Sequence, residues 1–379
     1  MKTKFLALIL AVAMLFSVCL TGCSGLSSIA KVNGEDVPVG WYVANAVYTA
    51  AQMEQSYGAN YYLAFLKLAN NTDPSRTNAQ VLDDAAKAAF EQTYTYKLMV
   101  DEYGLEMDGL ATEAFEAEYN FLKSTFFMDE DYNRFLKLSK LSEEEYKEIY
   151  KATSYYPDML YDYYFDEQVG IDPLTDAKVR AFFDEYTEYC MKHIMFAFAT
   201  TDAEGNALDD AAIKQNKAEA KKEAEETLKK LQNGELEFDS AMNSLTDDAS
   251  YSSYPDGYAW KEGDGMLPDV FTTAAKEMDF GEMKLYEGEN GYHIMCEIDP
   301  DDYYETHYLV YETAYTQNYI QEKVSEYKQN KVLIEYNQAA LNKYSFLKLG
   351  SVNITLLSLS EEDMQAAAQA TFDKLDEID

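Results

Sequence analysis

Only 3 histidines occur among 379 residues, so imidazole chemistry has few places to sit. Two of them, His193 and His293, lie in runs that read as strands: Tyr189-Cys-Met-Lys-His-Ile-Met-Phe-Ala-Phe198 and Gly291-Tyr-His-Ile-Met-Cys-Glu-Ile298. A lone histidine on a strand is more often a satisfied core residue than a catalyst. Two on the first and last strands of one region can instead share a hydrogen-bond network. If the strands pair antiparallel with His193 opposite His293, Cys190 falls opposite Cys296. The spacings Cys190-x-x-His193 and His293-x-x-Cys296 imitate a Cys₂His₂ zinc set. On strands, residues three apart point to opposite faces, so these four cannot converge, and no metal is expected. The cysteines remain open between a Cys190–Cys296 disulfide, permitted outside the cytoplasm, and two small buried thiols.

The elements that must position these residues run strand, helices, turn region, short helix, strand, the order of a compact α+β unit. Asp209 to Gln232 reads as a long charged helix, and a second helix follows Gly234 and Phe238. Tight turns are marked by Ser253-Tyr-Pro-Asp-Gly257 and Gly263-Asp-Gly265, and Phe271 to Met278 is helical. Upstream, Asn33-Gly34 is a two-residue turn between short extended runs. Trp41 to Gln168 has a helical period, clearest in Val81–Tyr103 and Ala111–Phe126. Ser142-Glu-Glu-Glu145 is a capping-box start, and Thr175 or Asp176 caps the helix before the first strand. Downstream, the pattern is helical from His307 through Tyr344. A β-rich patch at Val352–Leu359 then precedes a helix start at Ser360-Glu-Glu-Asp363. The abundant Tyr and Phe read either as core packing or as a cradle for unfolded peptide.

The chain carries 31 Lys+Arg against 68 Asp+Glu, a formal charge of -37, which repels polyanions and excludes nucleic acid as a partner. Four cysteines are too few for a disulfide scaffold of this length. Met1 to Gly22 reads as an export signal, with Lys2 and Lys4 before an apolar run from Phe5 to Leu20. Leu20-Thr21-Gly22-Cys23 resembles the bacterial lipobox, in which the cysteine is lipidated and becomes the new N-terminus. Cleavage there removes two lysines and leaves 29 basic residues against 68 acidic, a charge of −39. Ser24-Gly-Leu-Ser-Ser28 suits a flexible tether. The expected location is the extracytoplasmic face of the cell membrane, held by the lipid.

From about Glu185 to Asp299 the chain resembles a parvulin-type peptidyl-prolyl isomerase domain. Lys192-His-Ile-Met195 is similar to the family's opening strand, and Leu231, Gly234 and Phe238 to its helix link. Leu267-Pro-Asp-Val-Phe271 is similar to the wall of the proline pocket, and Gly291-Tyr-His-Ile294 to the closing strand. With the lipobox and helical flanks, the whole resembles the PrsA-like foldase lipoproteins, and SurA-like chaperones share the arrangement. The chain departs from the pattern where Tyr254-Pro-Asp-Gly-Tyr258 replaces a glycine-rich turn and where Leu267 stands for a methionine. The acidic Thr201-Asp-Ala-Glu-Gly205 replaces the basic loop of phospho-directed members, so no phosphoserine preference is expected.

The resemblance implies an α+β parvulin-like domain, a small antiparallel sheet with surrounding helices, inserted between mainly helical N- and C-terminal segments. The expected divisions are 1–22 signal, 23–30 lipidated tether, 31–184 N-terminal helical region, 185–300 isomerase domain, and 301–379 C-terminal segment packing with the N-terminal region. It also implies catalysis at His193, Asp248 (one step from Asp247) and His293, with substrate bound by Leu267, Phe271 and, less centrally, Asn290. Rotation about X-Pro breaks no bond, so no cofactor is needed. The partners implied are unfolded, newly secreted polypeptides containing X-Pro bonds, and the membrane through Cys23. The alternatives are a non-catalytic holdase that keeps the parvulin shape and a solute-binding or adhesive lipoprotein.

Overall fold

The computed structural model describes residues 26–127, 129–166, 169–201 and 206–356. The export signal, Cys23, most of the Thr201–Asn206 loop, residues 357–359 and the helix start at Ser360 lie outside the described residues. Two compact units emerge: the residues up to 171 together with those from 320, and residues 172–319.

The flanking unit begins with a hairpin of β1 (Ser28–Val32) and β2 (Glu35–Pro38). Its turn residues Asn33 and Gly34 have φ of 52° and 88°, the paired left-handed conformation that a tight hairpin needs. Seven helices follow: α1 (Gly40–Tyr57), α2 (Ala59–Phe65), α3 (Asn78–Tyr103), α4 (Gly109–Phe126), α5 (Asp129–Ser139), α6 (Glu143–Ser154) and α7 (Tyr156–Phe165). Three of these starts are fixed by side chains that satisfy orphan N–H groups. Thr77 and Gln80 form a capping box on α3, Asp108 accepts from the Ala111 N–H on α4, and Ser142 with Glu145 forms the capping box of α6.

The central unit contains α8 (Asp176–Tyr186), β3 (Tyr189–Ala197), α9 (Asp210–Gln232), α10 (Phe238–Leu245), β4 (Tyr258–Trp260), α11 (Asp269–Glu277), β5 (Met283–Glu287) and β6 (Gly291–Ile298). Its sheet is antiparallel in the order β4-β3-β6-β5. Strands β4 and β5 are not expected from the sequence pattern. The first is three residues between glycine turns, and the second is only partly buried, so neither carries a clear alternation. One sheet face packs Ile194, Phe196 and Ile294 against α9 and α10; the other packs Met191, Tyr258 and Met295 against Phe271 and Ala274 of α11. This unit includes α8, whose Val179 and Phe183 form a cluster with Cys190 and Tyr304.

The register differs from the sequence expectation by two residues. His193 pairs with Met295 and Met195 with His293, while Cys190 pairs with Ile298 and Cys296 with Lys192. A shift of two preserves parity, so the histidines stay on one face as diagonal neighbours. Gly291 pins this register opposite Ala197, where an added Cβ would lie 2.8 Å from the Phe196 carbonyl oxygen. The disulfide alternative is corrected: both Cys190 and Cys296 are free. The shift leaves them diagonal rather than opposite, and burial pushes the Cys190 thiol up to about 12.

Helix α12 (Pro300–Lys331) starts before the expected His307, which is its one non-helical residue (φ -109°, ψ 16°). The helical pattern expected through Tyr344 is interrupted by β7 (Ile334–Tyr336), which pairs with β1 to give a sheet of order β2-β1-β7. The Asn33 side chain directs this change. Its Nδ2 donates to the Lys331 carbonyl at the helix end (3.0 Å), and its Oδ1 accepts from the Leu333 N–H (2.8 Å). Helices α13 (Gln338–Lys343) and α14 (Phe346–Leu349) follow, and then residues 351–356, which form no ladder beyond one bridge from Leu356 to Phe127.

Candidate active site

Strands β3 and β6 bring His193 and His293 together on the face that α11 covers. Their Nδ1 atoms are 3.1 Å apart, and both residues are buried. The second nitrogen of His193, Nε2, lies 2.9 Å from Asp248 Oδ2. Asp248 leaves α10 through a short turn in which the Thr246 hydroxyl accepts from the Asp248 N–H (3.2 Å) and from the Met195 N–H of β3 (3.1 Å). Its neighbour Asp247 faces elsewhere, accepting from the Ala197 N–H at 2.9 Å. The carboxylate beside the imidazole is therefore that of Asp248.

Two further donors converge on Asp248, the Tyr258 hydroxyl on Oδ2 (2.6 Å) and the Ser250 N–H on Oδ1 (2.9 Å). The hydrogen bond from His193, helped by that from Tyr258, holds the Asp248 carboxyl far below the usual carboxylate range. Being ionised, Asp248 only accepts, so His193 Nε2–H donates to it. The Nδ1–Nδ1 bond then needs a single proton. When His193 is neutral, His293 Nδ1–H donates; when His193 is charged, His293 accepts. Burial, and next the neighbouring His193, lower His293 to about 4, so it is the neutral member of the pair at pH 7.

The aromatic surroundings are equally specific. The Phe271 ring meets His193 edge-on at 4.9 Å and His293 at 5.6 Å between centroids, and it lies 6.2 Å from Trp260. Trp260 Nε1 donates to the Thr272 hydroxyl (3.2 Å), which ties β4 to α11. Phe271 is 2% exposed and forms the floor over which the partly buried Leu267 packs. Asn290 is not joined to this network. It is exposed in the turn before β6, where its carbonyl accepts from the Phe198 N–H (3.1 Å).

Sequence reasoning misses three contributors. Tyr258 closes the carboxylate network, and its only sequence signal is its place at the end of the departed glycine turn. Within that turn Gly257 remains essential: at φ +98° it lies so close to β3 that a Cβ would be 2.6 Å from the Met191 carbonyl oxygen. Gly288 supports the other histidine, since a Cβ there would be 2.6 Å from His293 Nε2. The arrangement binds no nucleophile to a base. It offers an ordered imidazole–imidazole–carboxylate–phenol network beneath an aromatic floor.

Comparison with known proteins bears on this region. The family model of the PPIC-type PPIASE domain, the rotamase family, matches residues 193–299. No curated protein matches the chain. Among solved structures, the chain is similar to PrsA from Bacillus subtilis, with 15% identity, 80% of this chain and 98% of that one covered, and a TM-score of 0.27. It is also similar to the foldase protein PrsA from Streptococcus pneumoniae (17% identity, 77% and 89% covered, TM-score 0.22). A structure from work on two SurA-like chaperones of Campylobacter jejuni matches with 15% identity, 82% and 100% covered, and a TM-score of 0.17. The family match and the site coincide, with the histidines, Asp248, Tyr258 and Phe271 all inside the matched span, so residues 193–299 belong to the PPIC-type peptidyl-prolyl isomerases, the parvulin-type rotamases.

Proposed function

We propose that this chain is a membrane-anchored extracytoplasmic foldase that isomerises X-Pro bonds in newly secreted polypeptides and shields them while they fold. The observation that carries this reading is the buried His193–His293–Asp248–Tyr258 network against Phe271 within a rotamase domain. Rotation about a peptide bond must cross about 18–20 kcal/mol because resonance is lost in the twisted amide. An apolar floor formed by Phe271 and Leu267 grips the prolyl ring and excludes water. The twisted state, in which the nitrogen is more basic and the carbonyl less delocalised, is then favoured over either planar form. Asp248 fixes the tautomer and orientation of His193, and His193 in turn orients His293. Nothing in the step requires a cofactor, since no bond is made or broken.

The anchor is read from Leu20-Thr-Gly-Cys23, with Cys23 as the lipidated residue. A chain this acidic is repelled by anionic phospholipid, so the lipid rather than electrostatics does the holding. Palmitate incorporation that is lost in Cys23→Ala tests the anchor.

The catalytic reading is tested on the full chain with a chromogenic prolyl peptide. Turnover is expected in the wild type and a fall of roughly a hundredfold in His193→Ala. Absence of wild-type turnover, with binding of an unfolded protein retained, would replace the enzyme with a non-catalytic holdase.

A further inference from the structure

Residues 351–356, Ser-Val-Asn-Ile-Thr-Leu, are held in the flanking unit in an unusual way. A peripheral segment of this kind normally joins a sheet, with its backbone bonded to another backbone. Here the backbone is captured by side chains of α1 and α5. Glu54 accepts from two successive N–H groups, Val352 at 2.7 Å and Asn353 at 3.0 Å. Gln55 accepts from the Leu356 N–H (2.8 Å) and Asp131 from the Thr355 N–H (3.2 Å). Arg134 Nη1 donates to the Asn353 carbonyl (2.8 Å). Val352, Ile354 and Leu356 are buried, whereas Ser351, Asn353 and Thr355 are exposed.

These are the parts of a peptide-recognition groove. Main-chain groups supply sequence-tolerant affinity, and pockets for alternate side chains supply selectivity. Glu54 is itself buried (8% exposed), so its carboxylate is built into α1 to receive a pair of N–H groups rather than left at the surface. The paired donation depends on a kink, because Asn353 has φ 49°, a left-handed conformation that Asn and Gly accept and branched residues resist. Proline cannot serve at the four donating positions, since it has no N–H. Next to the groove, Phe127, which bridges Leu356, also lines a cavity of about 320 Å³ walled by Tyr48, Tyr119, Tyr132 and Tyr146.

We propose that the surface formed by α1 and α5 is a binding site for kinked, proline-free apolar polypeptide. Its pattern is apolar, Asn or Gly, apolar, any residue, apolar; in this structure it holds the chain's own residues 351–356, and client segments compete for it. Such a site complements one that needs proline, because it selects the stretches between prolines. The client half of the proposal rests on the foldase reading; the groove itself does not.

The test uses the full chain and a fluorescent hexapeptide, Ser-Val-Asn-Ile-Thr-Leu. Ile354→Asp weakens the resident segment. Fluorescence polarisation is expected to show roughly tenfold or more tighter binding of the peptide to this variant than to the wild type, whose tethered segment competes at high effective concentration. Peptides with Val in place of Asn, or Pro in place of Thr, are each expected to bind roughly tenfold more weakly. A folded Ile354→Asp that binds no better than the wild type, or that binds all three peptides alike, overturns the proposal. If the variant does not fold, hydrogen exchange on the wild type decides. Excess peptide should accelerate exchange at the amides of Val352, Asn353, Thr355 and Leu356, and unchanged protection overturns the groove. The same measurement with a reduced, alkylated unfolded protein tests the client half. Because the peptide lacks proline, failure here is distinct from failure of prolyl turnover.

Discussion

The central site and the helical flank use the same elementary device, a carboxylate receiving buried hydroxyl or N–H groups, and reach different ends. In the flank, Glu118 accepts from Tyr150 (2.6 Å) and Tyr155, Glu148 from Tyr156 (2.7 Å), and Glu91 from Tyr336 (2.6 Å) while also meeting Lys328. Burial, reinforced by these carboxylates, pushes the four tyrosines well above their ordinary range. None of them titrates near neutrality, so each pair is a rigid satisfied contact. In the central unit the carboxylate meets an imidazole whose partner is a second imidazole, so the ionised Asp248 and the neutral His293 are linked through the His193 ring. Part of the chain's complement of 68 acidic residues is thus structural, matched to its 33 tyrosines, whereas Asp248 meets an imidazole.

That contrast can be broken in several places. The largest effect is expected at Phe271, whose full burial makes it both floor and core. Phe271→Ala should cost roughly 3–5 kcal/mol of stability and abolish prolyl turnover, so melting curves must accompany kinetics. Phe271→Leu restores much of the volume, and full turnover in that variant would remove the aromatic floor from the mechanism.

The next effect is a pH slope. His293 is lowered to about 4, so the unfolded state binds the proton more readily, and its contribution to stability is lost as pH falls from 6.5 towards 4. Glu297, on the same strand, is raised by burial to about 7, so its effect has the opposite sign, and stability falls as pH rises from 4.5 towards 7. The two nearly cancel between about pH 4.5 and 6.5. In Glu297→Gln, denaturation should therefore reveal a rise of roughly 2 kcal/mol across that window. A flat profile would show that His293 is not held neutral by burial.

Asp248→Ala strands the donors of His193 and Tyr258. The expected cost is roughly 1–3 kcal/mol, with prolyl turnover reduced at least tenfold and a milder loss in Asp248→Asn. Equal turnover in all three proteins would make the carboxylate purely structural. The smallest effect belongs to the flank, where Tyr156→Phe should cost roughly 1 kcal/mol and leave prolyl turnover unchanged. A change in turnover would mean that the two regions communicate.

The sequence discloses the parts of the site better than their register. Alternation in the two long strands places His193 and His293 on one face, because parity is a period-two property. It cannot distinguish a pairing from one shifted by two residues, which changes no side chain's face. Gly291 pins that shift through its contact with Phe196 and Ala197, which lie far away in the chain. The Ser142–Glu145 capping box and the Asn33-Gly34 turn are local and legible. Tyr258 and Gly288 are not: Tyr258 acts where β4 pairs with β3, dozens of residues away, and Gly288 where the turn before β6 closes on the His293 ring. The cysteines illustrate the cost of the same error: a two-residue shift turns a plausible bridge into two separate thiols.

The pairing of β1 with β7 sets a timetable for the molecule's own birth. Val32 meets Ile334, so nearly the whole chain must be made before that sheet can close. At about 5–20 residues per second, synthesis of the intervening chain takes roughly 15–60 s. Residues 172–319 are contiguous and can fold during that interval, while the hairpin at the start waits with one edge unpaired. For those seconds the polypeptide is itself incompletely folded, exposed to the same hazards as any other nascent chain.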